Sequence, residues 1–128
     1  MLPFPLELTP GAPIYEQIVD AVKRAVATGR LKEGDRFPSV RAISGELRVN
    51  PNTVQKAVAE LTTQGLLVVH PGQGCYIATP SAGTAREQRA ALGPLLEQLV
   101  VEAAQLGLDE EALQEFLRAK WRELKIKR

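Results

Sequence analysis

The sequence predicts a mainly α-helical chain with a small β-hairpin wing: three helices lead into the hairpin and two more follow it. Three observations predict this. Apolar residues recur at helical spacing in five separate segments. Two β-rich runs, 66–70 and 75–78, are joined by the turn-forming Pro71-Gly72-Gln73-Gly74. Residues that start and stop helices stand at the ends of several of the periodic segments.

Taken in order, the chain begins with an extended lead. Pro3, Pro5, Pro10 and Pro13 exclude a helix there, and Leu6-Glu7-Leu8 is expected to add a short strand. A helix is expected from about 14 to 28, with Gly29 after its end. Its predicted buried stripe is Ile14, Ile18, Ala21, Val22, Ala25 and Val26, and Glu16, Asp20, Lys23 and Arg24 face water. Asp20 and Arg24 stand four apart in the favourable order, which contributes on the order of a few tenths of a kcal/mol. A polar connection, 30–38, ends in Pro38, and Ser39 is placed to cap the next helix.

The second helix carries Val40, Ile43 and Leu47 on one face, and Ser44-Gly45 within it predicts fraying. The third has the best-marked start in the chain. Asn50 can accept from orphan amides as N-cap, and Pro51 follows where its missing N–H is harmless. Val54, Ala57, Val58 and Leu61 face inward, and Gly65 sits just past the end. Only Arg48, Val49 and Asn50 separate the two helices, too few for an antiparallel return, so a steep crossing is left: a helix-turn-helix. The outward face of the third helix holds Asn52, Gln55, Lys56 and the small Ala59, with Thr53 on the flank. Amides can pair with adenine, a lysine reaches guanine or phosphate, and an alanine lets the backbone approach a major groove. For an isolated helix the same face would read as merely solvated. Three helices followed by a hairpin form a winged helix, and that order is more specific than any of its parts.

Several ordered motifs resemble the GntR superfamily of bacterial transcriptional regulators. They run from Pro13-Ile14-Tyr15-Glu16-Gln17-Ile18 through Gly29-Arg30-Leu31 and Gly34-Asp35-Arg36-Phe37-Pro38-Ser39-Val40-Arg41 to Val49-Asn50-Pro51-Asn52-Thr53-Val54. Leu61, Gly65-Leu66 and Gly72-Gln73-Gly74 continue the match. The resemblance covers roughly the first 78 positions. It implies that Arg41 contacts the operator near the start of the second helix. It also implies that Asn50, Asn52, Thr53 and Gln55 occupy base- and phosphate-contacting positions, and that the wing tip Pro71-Gly72-Gln73 enters the minor groove. Glycine at position 72 fits that role, since a side chain there would hold the backbone away from DNA. Arg36 reads equally as a backbone contact and as a solvated loop residue.

Arg48 stands where the family usually has glycine. If that turn needs a positive φ, arginine costs roughly 1 kcal/mol, which a phosphate contact could offset. Gln55 stands where relatives often carry arginine, so the preferred operator base should differ.

Beyond position 78 the composition shifts. Thr79-Pro80-Ser81-Ala82-Gly83-Thr84 reads as a linker, dividing a winged-helix domain (1–78) from a two-helix hairpin (85–128). The first tail helix sets Leu92, Leu95, Leu96, Leu99, Val100, Ala103 and Leu106 on one face, with Gly93-Pro94 marking either a kink or a fresh start. Gly107 and Asp109 supply a C-cap and an N-cap. The second tail helix is expected to bury Leu113, Phe116, Leu117, Trp121 and Leu124, with acidic residues at its start and Lys125, Lys127 and Arg128 in its last turn. A hairpin this short encloses no core, and pairing with a second copy is the favoured way to cover its stripe. Such a tail resembles the YtrA-like branch of the family, whose members often regulate operons for membrane transporters.

Other readings are bounded by composition. A net charge of +1 carries no general attraction to nucleic acid, so affinity must come from locally placed Arg and Lys. One cysteine excludes an intrachain disulfide and fits a reducing compartment. The opening MLPFPLELTP lacks a basic segment and is broken by prolines, so it does not read as a signal peptide. The longest apolar stretch, 92–106, contains Glu97 and Glu102 and is too short for a bilayer. A cytoplasmic protein without membrane contact is expected. His70 is the only histidine, so no triad or zinc motif can be assembled, and no cofactor or enzymatic activity is expected. Gly72-Gln73-Gly74 lacks the strand-to-helix setting of a nucleotide-binding turn. Two alternatives remain: a metal- or redox-responsive regulator using His70 and Cys75 across the hairpin, and a protein-interaction module, against which the third helix offers no aromatic anchor. An unknown small effector would sit in a cleft between dimer helices, near Phe116 and Trp121.

Overall fold

Local chemistry marks the ends of the helices in the computed structural model, which describes residues 1–79 and 83–126. The elements are α1 (Ile14–Ala27), β1 (Arg36–Phe37), α2 (Val40–Leu47), α3 (Pro51–Thr63), β2 (Leu67–His70), β3 (Gly74–Ile77), α4 (Ala85–Gln105) and α5 (Glu110–Glu123). They fall into two units, the first running through β3 and the second holding α4 and α5.

In the first unit, Ser39 Oγ accepts from the Ala42 amide at the start of α2, and Asn50 Oδ1 accepts from the Asn52 amide at the start of α3. Arg48 and Gly65 end α2 and α3 in the same way. Each sits in the left-handed region (φ 56° and 80°), and the next amide reaches back five residues, Val49 to Ser44 and Leu66 to Leu61. The turn of the helix-turn-helix therefore does require a positive φ, at a residue that is not glycine. α2 is continuous from Val40 to Leu47 through Ser44-Gly45, where the sequence predicts fraying. Ser44 is buried and its hydroxyl donates to the Arg41 carbonyl, so its polar group is satisfied inside the helix.

The core joins α1, α2 and α3 through Ile18, Val22, Ile43, Val54 and Leu61, all essentially inaccessible, and the sheet adds the buried Phe37, Leu67 and Ile77. The predicted stripe of α1 is rotated slightly: Val19 is buried and Ile14 is 38% exposed. Ile14 opens the helix directly after Pro13, where no preceding turn shields it. The strand expected at Leu6-Glu7-Leu8 does not form. That segment is held by side chains instead, with Phe4 buried and stacked on Phe37 at 5.9 Å between ring centroids, and Leu2 and Leu6 packed beside them.

The strand that does add to the hairpin is β1, giving an antiparallel sheet in the order β1-β3-β2. Arg36 lies opposite Tyr76 and Phe37 opposite Cys75; across the hairpin Val69 lies opposite Cys75 and His70 opposite Gly74. Successive residues of a strand face opposite sides. Phe37, Cys75, Leu67 and Ile77 thus point toward the core, and Arg36, Tyr76, Val68 and His70 point away from it. His70 and Cys75 therefore do not face each other across the loop, because a one-residue offset in register sends them to opposite sides.

The second unit consists of the tail helices, and positions 80–82 of the expected linker lie outside the described residues. Thr84 and Glu87 form a reciprocal cap at the start of α4: Thr84 Oγ1 accepts from the Glu87 amide and donates to its carboxylate. The helix runs unbroken from Ala85 to Gln105 with Pro94 inside it, so Gly93-Pro94 does not start a new helix. Gly107 ends α4 with φ 78°, Leu108 N–H reaches back to the Ala103 carbonyl, and Asp109 caps α5 through the Ala112 amide. α5 stops at Glu123, so its last turn carries Lys120 and Arg122; Lys125 lies beyond the end, and Lys127 and Arg128 lie outside the described residues.

The two tail helices meet at their turn and do not lie against each other along their lengths. Ala103 is buried and Leu113 half-buried near that turn. Within the tail unit the rest of the stripe is not covered: Leu92, Leu95, Leu96, Leu99, Val100, Leu106, Phe116, Leu117, Trp121 and Leu124 are all exposed.

Candidate nucleic-acid interface

α3 is the centre of the candidate interface. Val54, Ala57 and Leu61 bury one side of it, and a helix advances about 100° per residue, so Asn52, Gln55, Ala59 and Lys56 fall on the other. Asn52, Gln55, Lys56 and Ala59 are exposed, and Thr53 is half-buried on the flank, its amide donating to the Asn50 carbonyl at 3.0 Å. The side-chain oxygen of Asn50 is engaged as the helix cap at 2.8 Å, which leaves its Nδ2 group for an outside partner.

Lys56 does not extend straight outward. Its Nζ lies 4.1 Å from the centroid of the Tyr15 ring, at the start of α1. The Tyr15 hydroxyl donates to Glu16 Oε1 at 3.4 Å, and the charge of Glu16, with desolvation and the more distant Glu60, holds the phenol above its ordinary pKa. Sequence periodicity could not show this contact, because Tyr15 belongs to another helix.

Arg41 occupies the second position of α2 and is exposed, and Arg48 projects from the left-handed turn residue, also exposed. At the wing, Gly72 has φ 76° with open space where a Cβ would stand, and the Gln73 amide donates to the His70 carbonyl at 2.8 Å to close the turn. Pairing of β1 with β3 brings Arg36 to the wing. Its guanidinium lies alongside Gly74, where a Cβ would stand 3.5 Å from Nη2. Tyr76, which sequence reasoning left without a role, packs against His70 with ring centroids 5.2 Å apart. This outer side of the sheet is an open depression of about 550 Å³ that also includes Glu33, Val68 and Gln73.

Among the described residues no three His, Cys, Asp or Glu side chains converge as metal ligands would, and no helix is long and apolar enough to cross a membrane. Cys75 is half-buried beside the core and His70 is engaged on the other face.

The pattern for "Bacterial regulatory proteins, gntR family" matches residues 14–77, from the first residue of α1 to the last of β3. The chain belongs to the GntR family. Among GntR relatives, the HTH-type transcriptional repressor YtrA of Bacillus subtilis is 36% identical over 83% of this chain and 82% of its own length. A crystal structure of a transcriptional antiterminator from Listeria monocytogenes EGD-e superposes with a TM-score of 0.81 at 29% identity, covering 97% of this chain and 93% of its own. The DNA-binding domain of AraR, solved in complex with operator ORR3, matches 58% of this chain and 89% of its own at 26% identity and a TM-score of 0.51. As a GntR protein the chain is a DNA-binding transcriptional regulator and not an enzyme.

Proposed function

We propose that this protein is a cytoplasmic homodimeric repressor that reads an inverted-repeat operator, one α3 in each of two major grooves. The observation that carries the reading is the uncovered tail. α4 and α5 expose a row of leucine, valine, phenylalanine and tryptophan side chains that water disfavours and that the two helices do not cover for each other. A second copy covers such a stripe symmetrically, and two-fold pairing of the tails yields two winged helices for a two-fold operator. Residues 1–78 serve as the DNA-binding domain, 79–84 as linker and 85–128 as the dimerisation region. The dimer surface consists of Leu92, Leu95, Leu96, Leu99, Val100, Ala103, Leu113, Phe116, Leu117, Trp121 and Leu124.

Within each DNA-binding domain, Asn52, Gln55 and the free amide of Asn50 read bases. Arg41, Arg48, Thr53 and Lys56 hold phosphates, and Gly72-Gln73 with Arg36 meets the minor groove and its backbone. Similarity to the repressor YtrA supports repression; control of a transporter operon is what resemblance to its branch of the family implies. A small effector, if the protein takes one, would lie between paired tails near Phe116 and Trp121.

The test is selection of bound duplexes from fragmented genomic DNA at near-physiological salt, with sedimentation of the free protein alongside. A pseudo-palindrome with equivalent half-sites, bound by a dimer, is the expected result, and the adjoining genes would identify the operon. Monomeric protein, or enrichment of single half-sites, would overturn the dimeric reading.

A further inference from the structure

We infer that Tyr15 is a positioning residue for DNA binding: its ring on α1 holds the Lys56 ammonium of α3 at the margin of the recognition face, ordered before a phosphate arrives. The inference rests on the DNA-binding role proposed above for α3.

Lys56 and Glu60 stand one helical turn apart and could pair with each other. They do not. Glu60 Oε1 accepts from Gln64 Nε2 at 2.9 Å, and Lys56 forms none of the ion pairs found among the described residues. The ammonium lies instead over the Tyr15 ring at 4.1 Å. The ring itself packs, half-buried, against the core. A phenol is already protonated near neutral pH and Glu16 pushes its pKa further up, so the ring meets Lys56 as a neutral quadrupole.

That choice of partner matters. A carboxylate would neutralise Lys56 and compete with phosphate, whereas a ring covers one side of the ammonium and leaves N–H donors free on the other. The flexible lysine side chain also loses part of its rotamer freedom in the free protein, so less is lost on binding. The position on α3 suits the task. Lys56 falls between the outward Asn52 and Ala59 and the flank of Thr53 and Glu60, where a groove-bound helix meets the backbone rather than the bases.

The full chain and its Tyr15→Phe, Tyr15→Leu, Lys56→Gln and Tyr15→Leu/Lys56→Gln variants would be titrated with a mixed-sequence duplex across a salt series. Lys56→Gln should weaken binding and lower the slope of log affinity against log salt by about 0.9, one phosphate contact. Tyr15→Phe, which keeps the ring, should bind as the parent does. Tyr15→Leu should lose about two- to fivefold in affinity, the strength of an exposed cation–ring contact, and the double variant should bind no worse than Lys56→Gln. Parent-like binding by Tyr15→Leu, or additive losses in the double variant, would overturn the inference.

A nuclear magnetic resonance measurement on the free protein is independent of both DNA and the leucine variant's folding. The Lys56 ε-methylene protons should be shifted upfield by the ring in the parent and in Tyr15→Phe. Their absence from that region would overturn the positioning role even if α3 binds DNA. An upfield shift together with unchanged binding by Lys56→Gln would instead overturn the phosphate role of Lys56.

Discussion

Replacing Arg48 by glycine should make the protein more stable and a poorer DNA binder. Arg48 holds φ at 56° in the turn between α2 and α3. An L-residue in that region costs about 1–2 kcal/mol relative to the right-handed one, and glycine avoids this. Glycine is also freer in the unfolded chain, which removes about 0.5–1 kcal/mol of the advantage. The net gain lies within about 0–1.5 kcal/mol and centres on about 0.75 kcal/mol, or about 3–6 °C in Tm for a domain of this size. Arg48→Ala separates the two effects, because alanine keeps the Cβ strain and loses the charge. Its Tm should stay within about 0.5 kcal/mol equivalent of the parent. Thermal melts at fixed protein concentration, followed by duplex titration across a salt series, are the assays. Both variants should bind all sequences more weakly, with the salt slope reduced by about one. A glycine variant that melts at or below the parent would refute the strain reasoning. A higher-melting variant with unchanged affinity would show that the arginine side chain gives DNA binding nothing in return.

Three further outcomes follow from the same structure. Arg41→Ala should weaken binding to every duplex and flatten the salt slope, whereas Gln55→Ala should relax preference at one base pair, worth about 1–3 kcal/mol of discrimination; binding selections on both variants would expose a reversed pattern. Leu99→Asp sets a carboxylate in the exposed apolar row of α4 and, if the proposed tail pairing holds, should sediment as a monomer that keeps its helical circular dichroism where the parent sediments as a dimer. Cys75→Ser should bind DNA with the same affinity as the parent with and without oxidant, since His70 and Cys75 face opposite sides of the sheet; oxidant sensitivity lost in the variant would revive a redox role.

The helix punctuation was legible because each signal is local. Ser39, Asn50-Pro51, Gly65, Gly107 and Asp109 stand at helix ends as their own side chains or backbone freedom dictate. The inward row of α3 was legible for a related reason, since a single period governs it. What escaped depends on contacts between distant segments. Two residues, Arg36 and Phe37, show no alternation by which to recognise a strand, whereas Leu6-Glu7-Leu8 shows it and forms none. The separation of His70 from Cys75 turns on one step of register, set by the turn and not by composition. Lys56 read as a groove-facing charge until Tyr15 was seen beneath it. In α4, Pro94 removes one amide without ending the helix, because the turns on either side continue the spiral.

The two-residue strand β1 carries a kinetic consequence. Its pairing with β3 joins Arg36 to Tyr76 and Phe37 to Cys75, and the loop so closed contains α2, α3 and β2. Closing a loop of that length costs roughly 3 kcal/mol of chain entropy, far more than the hairpin turn between β2 and β3 demands. The helices and the hairpin can each form from neighbours in sequence, whereas this pairing, like the packing of α1 on α3, must bring together segments about 40 residues apart. It is secured by the Ile77 amide donating to the Asp35 carbonyl at 2.8 Å and the Gly34 amide donating to the Ile77 carbonyl at 2.9 Å. Those two amides should therefore exchange with solvent in step with the opening of the whole winged helix, making the root of the wing a gauge of whether α3 is folded.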